Sequence, residues 1–190
     1  MAGEPLGIQT STFSTHSVFF VTSVNPTADF PMKLLLFRHA QALAEAEDPA
    51  RPLSVKGRET TQAVARGLWR RTALEVTEVW HSPLVRARET AELLTEGLRL
   101  RARLREVPGL LPEDSPAAMA TVLELHNESL LVVGHEPHLS ALAGHLLGID
   151  PARGLVEFSK GTGLCLDRVS RGSAWTLEWL LPPRFVGEPE

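Results

Sequence analysis

The sequence predicts an α/β fold, a three-layer sandwich in which helices cover both faces of a mostly parallel sheet and an antiparallel hairpin ends the chain. Short apolar runs typical of buried strands occur at 33–37, 75–82 and 129–134. They alternate with stretches in which apolar residues recur at helical spacing, and this alternation is typical of parallel sheets. A turn-forming Ser-Arg-Gly-Ser then separates two apolar segments, 163–169 and 174–181, which predicts the hairpin.

Capping residues and apolar spacing predict a helix after each of these strands and one more before the third. Ser54 is a candidate N-cap for a helix that extends to 69, and Ser115 followed by proline predicts a helix over 116–126. Between 84 and 98, apolar residues recur at steps of three and four, which is the clearest helical signal in the chain. The last predicted helix follows the third strand and ends before Gly148.

Two segments alternate in a way that predicts strands with one polar face. Between 99 and 106, arginines alternate with apolar residues, which predicts a short edge strand whose positive face is solvated. The same row of arginines could instead dock an acidic partner. In the hairpin, we expect Trp175, Leu177 and Trp179 to share one face.

Composition excludes several classes of function. The net charge of −4 gives no general attraction to nucleic acid or to anionic lipid, so we expect neither partner. No apolar run approaches the roughly 18 residues that a membrane span requires. The one cysteine, Cys165, cannot form an internal disulfide and is interpreted as a packing residue. We therefore expect a cytoplasmic monomer.

Residues 1–31 differ from the rest of the chain. They contain no Lys or Arg and only two acids, Glu4 and Asp29, and the apolar run at 18–21 is too short for a signal peptide. Met32 opens directly onto the first predicted strand. We expect one domain at 32–190, preceded by a disordered extension or by residues from an upstream start site.

Basic side chains follow each of the three predicted parallel strands. Arg38 and His39 come directly after the first strand. Arg86 begins the helix after the second strand, and His135 follows the third. Because ligands bind outside the carboxyl ends of parallel strands, we expect these four side chains to converge. Guanidinium groups bind phosphate oxygens, helix N-termini favour anions, and neutral imidazole can attack phosphorus. The sequence therefore predicts an anion site that contains a nucleophile.

Three motifs around these residues carry a family resemblance. "LFRHAQA" resembles the Arg-His-Gly/Ala signature of the histidine phosphatase (phosphoglycerate-mutase-like) superfamily. "HSPLVRARETAELL" is similar to its second block, and "VVGHEPHLSALAGHLLG" to its later Gly-His block. With "RPLSVKGRE" and the C-terminal hairpin, the resemblance is greatest to the short phosphohistidine phosphatases of that superfamily. It covers Met32 to about Pro183 and implies the α/β fold predicted above.

The resemblance also implies a role for each side chain of the predicted anion site. His39 would be the nucleophile that becomes phosphorylated, and Arg38 and Arg86 would bind the phosphoryl group. His135 would donate to the phosphoryl oxygens as charge develops. Gln41 is a further candidate for phosphate binding. No metal or other cofactor is implied.

Other polar residues near the motifs have weaker predicted roles. Ser82 and Pro83 are expected to shape the turn that directs Arg86, without direct chemistry. Arg51 and Lys56 could border the pocket, but structural or solvated roles are at least as well supported. A metal site built from His135, His138 and His145 is disfavoured, because no acidic or cysteine ligand is convincingly placed near them.

No general acid can be assigned from the sequence. Larger members of the superfamily insert a segment that carries an acid after the second block, and this chain has little room there. Glu106, Glu113 and Asp114 lie in that interval, and none matches a motif. An alcohol leaves poorly unless an acid protonates it, whereas imidazole can leave after taking a proton from solvent, since its pKa is about 6.5. An open site without a dedicated acid therefore favours a P–N bond.

These observations predict a phosphatase that hydrolyses phosphohistidine on a protein through a phospho-His39 intermediate. As the resemblance implies, a phosphorelay or phosphotransferase-system protein would be the partner. One alternative is a phosphatase of small phosphomonoesters, which would need an acid near Glu113. The other is a phosphate-binding module without catalysis, although a binding site would not need His39.

Overall fold

The computed structural model describes residues 31–70 and 74–186. Within those residues the strands are β1 (Met32–Arg38), β2 (Glu78–His81), β3 (Arg103–Glu106), β4 (Leu130–Gly134), β5 (Gly163–Arg168) and β6 (Thr176–Leu181). The α-helices there are α1 (Val55–Trp69), α2 (Val85–Gly97), α3 (Pro116–Leu125) and α4 (His138–Leu147). Two short 3₁₀ helices span Pro151–Arg153 and Pro183–Phe185.

The strands form one mixed sheet in the order β3-β2-β4-β1-β5-β6. The first four of these are mutually parallel, and β5 and β6 continue the sheet as an antiparallel hairpin. Arg38 pairs with Gly134, and His81 pairs with Val133, so β1, β2 and β4 end at one edge of the sheet. This arrangement confirms the predicted fold and brings the three predicted strand ends together.

Alternate side chains of β1 are buried in two apolar layers, one on each face of the sheet. Leu34 and Leu36 pack on the face covered by α3 and α4, whereas Leu35 and Phe37 pack on the face covered by α1 and α2. All four side chains are at most 1% exposed. A strand that is buried on both faces needs a continuous apolar run, which is why this segment lacks alternation.

The helices divide into two kinds according to how their N-termini are capped. Ser54 accepts a hydrogen bond from the backbone of Gly57 at 3.1 Å, and Ser115 accepts one from Ala118 at 3.3 Å, as predicted for α1 and α3. No side chain caps α2 or α4, which follow β2 and β4 directly. The N-termini without a capping side chain are therefore the two that begin next to the predicted anion site, where they can supply donors to an anion.

The hairpin corrects one prediction. Trp175 precedes β6 and packs with the layer under α3 and α4, whereas Trp179 packs with the opposite layer. A register shift lies between the pairs Cys165–Trp179 and Leu166–Leu177. The extra residue of this bulge reverses the side-chain alternation, so the three residues predicted to share a face do not, and Leu177 is 49% exposed.

The remaining predictions on the fold have different outcomes. The arginine-rich segment forms an edge strand as predicted, but β3 begins only at Arg103. Arg99, at the start of the predicted strand, has a left-handed φ of 54° that extended backbone does not allow. Cys165 is buried in the sheet, and burial raises its pKa.

The predicted N-terminal extension lies outside the described residues except for Pro31. Among the described residues, no helix has the length and apolarity to cross a membrane.

Candidate active site

His39 lies immediately after β1 and is held by two hydrogen bonds to backbone carbonyls. Its backbone N–H donates to Gly134 at 3.1 Å. Its ring Nδ1 lies 2.7 Å from the carbonyl oxygen of Ala40, which can only accept, so Nδ1 carries the hydrogen. The lone pair is therefore on Nε2, in a ring that is only 7% exposed.

Two other predicted residues converge on this ring. Arg86, in the first turn of α2, places its Nε 3.4 Å from His39 Nε2. The ring of His135 lies with its centroid 4.9 Å from that of His39. A phosphoryl group bonded to His39 Nε2 would therefore form beside a guanidinium and a second imidazole.

Arg38 joins the site from the last position of β1. Its Nη1 donates to the carbonyl of Phe158 at 2.6 Å, while its buried Nε has no partner among the described residues. The charge of Arg38 acts on both His39 and His135. The guanidinium of Arg38 is thus anchored through Nη1 to the segment before β5. Its Nε–H remains available to donate a hydrogen bond to a ligand.

Ser82 forms a direct hydrogen bond to the second histidine, a contact that the sequence did not predict. Its Oγ lies 2.5 Å from His135 Nε2, and both residues are at most 1% exposed. The same Oγ accepts the backbone N–H of Leu84 at 3.4 Å and keeps a hydrogen of its own that it can donate. When the hydroxyl donates to Nε2, the ring hydrogen of His135 is on Nδ1, which has no partner among the described residues and can serve an oxyanion.

Thr90 ties the loop after β1 to α2. Its Oγ1 accepts the backbone N–H of Ala40 at 3.2 Å and donates to the carbonyl of Arg86 at 2.7 Å. The side chain is 1% exposed. The residues next to the nucleophile and the guanidinium are therefore joined through one buried hydroxyl.

The two histidines are neutral at physiological pH. Burial, and then the charges of Arg86 and Arg38, lower the pKa of His39 to about 4. Burial, and then the charges of His39 and Arg86, lower the pKa of His135 to about 3. A neutral His39 retains the lone pair that a nucleophile needs.

The acids considered from the sequence do not line this cluster as free carboxylates. Glu106 and Glu113 are exposed, and Asp114 accepts the backbone N–H of Leu111 at 2.7 Å. Glu136, which the sequence analysis passed over, is half-buried beside His135 in the chain. Its Oε2 accepts from Ser140 at 2.7 Å, and its Oε1 has no partner among the described residues. Burial raises the pKa of Glu136, against the opposing charge of Arg38.

Gln41 and Lys56 line a pocket that is also lined by Lys160, whose charge reaches His39. Arg51 has a left-handed φ of 49° and donates to the carbonyl of Leu43 at 3.4 Å. Its charge reaches Arg86, where it helps burial to lower the pKa of that guanidinium. His145 is exposed on α4, and the described residues contain no group of His, Cys, Asp and Glu arranged to hold a metal.

Residues 34–110 match the histidine phosphatase superfamily (branch 1). An uncharacterized protein of Picosynechococcus is 34% identical over 145 residues, which cover 68% of this chain and 86% of that protein. The chain belongs to the histidine phosphatase superfamily. The roles that this family resemblance gives to His39, Arg38, Arg86 and His135 remain predictions, now with a geometry that suits them.

Phosphohistidine phosphatases are among the similar proteins. Phosphohistidine phosphatase SixA of Escherichia coli is 29% identical over 158 residues, covering 80% of this chain and 94% of SixA. A solved structure of SixA with tungstate has a TM-score of 0.71 at 23% identity, covering 82% and 100% of the two chains. A mycobacterial glucosyl-3-phosphoglycerate phosphatase shares the fold at a TM-score of 0.56 and 18% identity, covering 78% and 97%. The chain is a SixA-like phosphatase of this superfamily.

Proposed function

We propose that the protein hydrolyses phosphohistidine on a protein, and that His39 carries the phosphoryl group between the two chemical steps. The observation that carries the proposal is the geometry at His39. Its Nε2 has a lone pair, lies 3.4 Å from the guanidinium Nε of Arg86, and belongs to a ring held neutral by burial. The likeness to SixA supports the choice of phosphohistidine.

In the first step, His39 Nε2 attacks phosphorus in line with the bond to the substrate imidazole. The new P–N bond forms as the old one breaks, and the leaving imidazole nitrogen takes a proton from solvent. Arg38 and Arg86 offer donors to the phosphoryl oxygens, and His135 Nδ1 supplies a neutral donor. Because Phe158 anchors Arg38 and Ser82 anchors His135, these two donors need little reorganisation as charge develops.

In the second step, water attacks phospho-His39. The P–N bond to Nε2 breaks, inorganic phosphate leaves, and the proton lost by the water balances the one taken up earlier. Throughout both steps, the Nδ1–H of His39 stays hydrogen-bonded to the carbonyl oxygen of Ala40. The free enzyme therefore returns with the hydrogen on Nδ1 and the lone pair on Nε2.

The surroundings of the site favour a protein substrate. Only short loops separate α2 from β3 and β3 from α3, so no inserted segment encloses the cluster there. An imidazole at the end of a histidine side chain can then approach from outside. A phosphorelay or phosphotransferase-system protein is the class of partner we propose.

A small-molecule phosphomonoesterase is the second candidate. Glu136 favours it, because its pKa is raised by burial and one of its oxygens lacks a partner among the described residues. Such a carboxyl group could protonate an alcohol as it leaves. The shared fold with a phosphatase of a sugar phosphate is compatible with this candidate.

Phosphate release from a phosphohistidine protein and from a panel of small phosphate esters tests the proposal. We expect a higher kcat/KM for the phosphohistidine protein than for any of the esters. His39→Ala should lose activity toward both kinds of substrate. His145→Ala, which removes an exposed histidine of α4, is the matched control and should retain activity. Rapid quenching should trap a phosphoenzyme that is labile in acid and stable in base.

Each alternative gives a different result. Preference for an ester would move the function to a small-molecule phosphatase. Stable binding of the phosphoprotein without release would indicate a binding module. Activity that survives in His39→Ala would remove the nucleophile assignment.

A further inference from the structure

A half-open pocket of about 220 Å³ lies beside the candidate active site and is lined by three cations. These are Lys56 of α1, Lys160 before β5 and Arg184 after β6. We call this feature the basic pocket. Gln41 and Thr60 contribute polar groups to its wall, and none of the described residues that line it is acidic.

The basic pocket is connected to the active site through one short segment of chain. Arg38 donates to the carbonyl of Phe158, and the N–H of Gly161 donates to the carbonyl of His39 at 3.2 Å. Lys160 lies between these two anchors. Its charge adds to those of the arginines in lowering the pKa of His39, so it is within electrostatic reach of the nucleophile.

The basic pocket lies where three segments of the chain pack closely together. Gly161 has a φ of 79°, and a Cβ there would lie 3.2 Å from Pro183 and 3.4 Å from Thr60. The three segments therefore meet at a position that only glycine suits. The segments that carry Lys56, Lys160 and Arg184 are therefore packed against one another at Gly161.

None of the three cations forms an ion pair with an acid among residues 31–70 and 74–186. The whole chain carries a net charge of −4, so this concentration of positive charge runs against the overall balance. Three cations around one pocket, without an ion pair among the described residues, favour an anion within it.

We infer that the basic pocket binds a carboxylate of the substrate protein, from an acidic side chain close to the phosphohistidine. The inference rests on the proposed function and extends it to specificity. A half-open pocket suits a side chain presented on the surface of a docked protein. Lysines, which act as point charges without a fixed fork, suit a carboxylate that can approach from several directions.

Paired phosphohistidine peptides test the inference. The two peptides differ only in a Glu or Gln flanking the phosphohistidine, and the position of that residue is varied. We expect the wild type to prefer the Glu peptide by about tenfold in kcat/KM, and this preference should weaken as salt is raised. The double variant Lys56→Met and Arg184→Met should bring the ratio close to one while its kcat for the Gln peptide changes little.

Arg66→Met is the matched control, since it removes one exposed cation from the last turn of the same helix. The single variants Lys56→Met and Arg184→Met are compared with it, and each should lower the Glu/Gln ratio more than Arg66→Met does. A wild-type ratio near one at every position, or an equal loss in Arg66→Met, would overturn the inference while leaving the proposed function intact. If neither peptide is hydrolysed and an aryl phosphate is, the proposed function fails first and the inference with it.

Discussion

Ser82 Oγ lies 2.5 Å from Nε2 of His135, and the two side chains are sealed from solvent. A neutral imidazole donates from one nitrogen only, so the partner of one nitrogen determines which atom holds the hydrogen. We infer that Ser82 donates to Nε2, which places the hydrogen of His135 on Nδ1, where it can serve the phosphoryl group. A residue between β2 and α2 thus controls a donor that follows β4.

Ser82→Ala should therefore impair catalysis more than binding. Without the hydroxyl, His135 can populate the other tautomer, and we expect kcat to fall roughly tenfold, the equivalent of one lost hydrogen bond in the transition state. The free energy of unfolding should fall by about 1–3 kcal/mol, because His135 Nε2 would be buried without a partner. Steady-state kinetics and urea unfolding measure the two effects.

Ser115→Ala provides the control for stability loss alone. It removes the capping hydroxyl of α3, which should cost about 1 kcal/mol of stability, but it should leave kcat unchanged. A Ser82→Ala protein with wild-type kcat would contradict the role assigned to this hydroxyl.

The low pKa of His39 predicts an acid limb for the reaction far below the usual histidine range. His39 must be neutral to attack phosphorus, and its pKa is about 4. We expect kcat/KM for a substrate whose own ionisation is known to decline only as the pH falls toward 4, after correction for that ionisation. A decline centred near pH 6.5, the ordinary value, would contradict the neutral buried state.

The same shift predicts that acid destabilises the fold. Between pH 6.5 and 4 the unfolded chain binds protons on histidines that stay neutral when folded, so the free energy of unfolding should fall as the pH falls through this range. His39→Asn should reduce the slope, since one such site is removed. Urea unfolding at several pH values provides the measurement, and equal slopes in the wild type and the variant would contradict the assignment.

The sequence located the cluster because its members follow from topology. Arg38, His39 and His135 stand at strand ends, and parallel strands must end at one edge of their sheet. Ser82 and Thr90 carried no such signal, since small hydroxyl residues are common in turns and helices for local reasons. Lys160 was missed because it is distant in sequence from the motifs and is brought to the site only by the antiparallel pairing of β5 with β1.

The C-terminal hairpin shows a different limit of prediction from sequence. Alternation of apolar residues along β6 predicts which side chains share a face only as far as the bulge. The bulge lies where β6 passes from its pairing with Cys165 to its pairing with Leu166. One added residue reverses every later side chain, and nothing in the pattern of apolar residues marks where it is inserted. The edge strand is likewise shorter than predicted: it begins at Arg103, and Arg99, at the start of the predicted segment, has a left-handed φ of 54°.

Glu136→Gln should strengthen the binding of anions. The substitution removes a carboxylate whose charge interacts with Arg38 and keeps an oxygen that can accept from Ser140. At pH 8 we expect the inhibition constant of inorganic phosphate to fall about two- to fivefold, the scale of one partly screened charge nearby. An unchanged constant would place this carboxylate outside the reach of the phosphoryl site. If the variant instead lost ester hydrolysis alone, Glu136 would act as the acid of the small-molecule alternative.

Gly57→Ala should destabilise the protein, although alanine ordinarily favours a helix over glycine by about 1 kcal/mol. Gly57 lies in the first turn of α1, and a Cβ there would come 2.0 Å from the carbonyl oxygen of Gln41. That oxygen also accepts the backbone N–H of Ser54 at 2.9 Å, so the helix and the loop after His39 cannot separate without losing this bond. We expect a loss of roughly 1–3 kcal/mol in the free energy of unfolding, together with lower kcat/KM as the loop shifts. Val55→Ala, at a position that is 74% exposed, should change neither quantity appreciably. A stabilised Gly57→Ala protein would mean that the loop can yield without cost, and the close approach at Gln41 would then have no part in shaping the site.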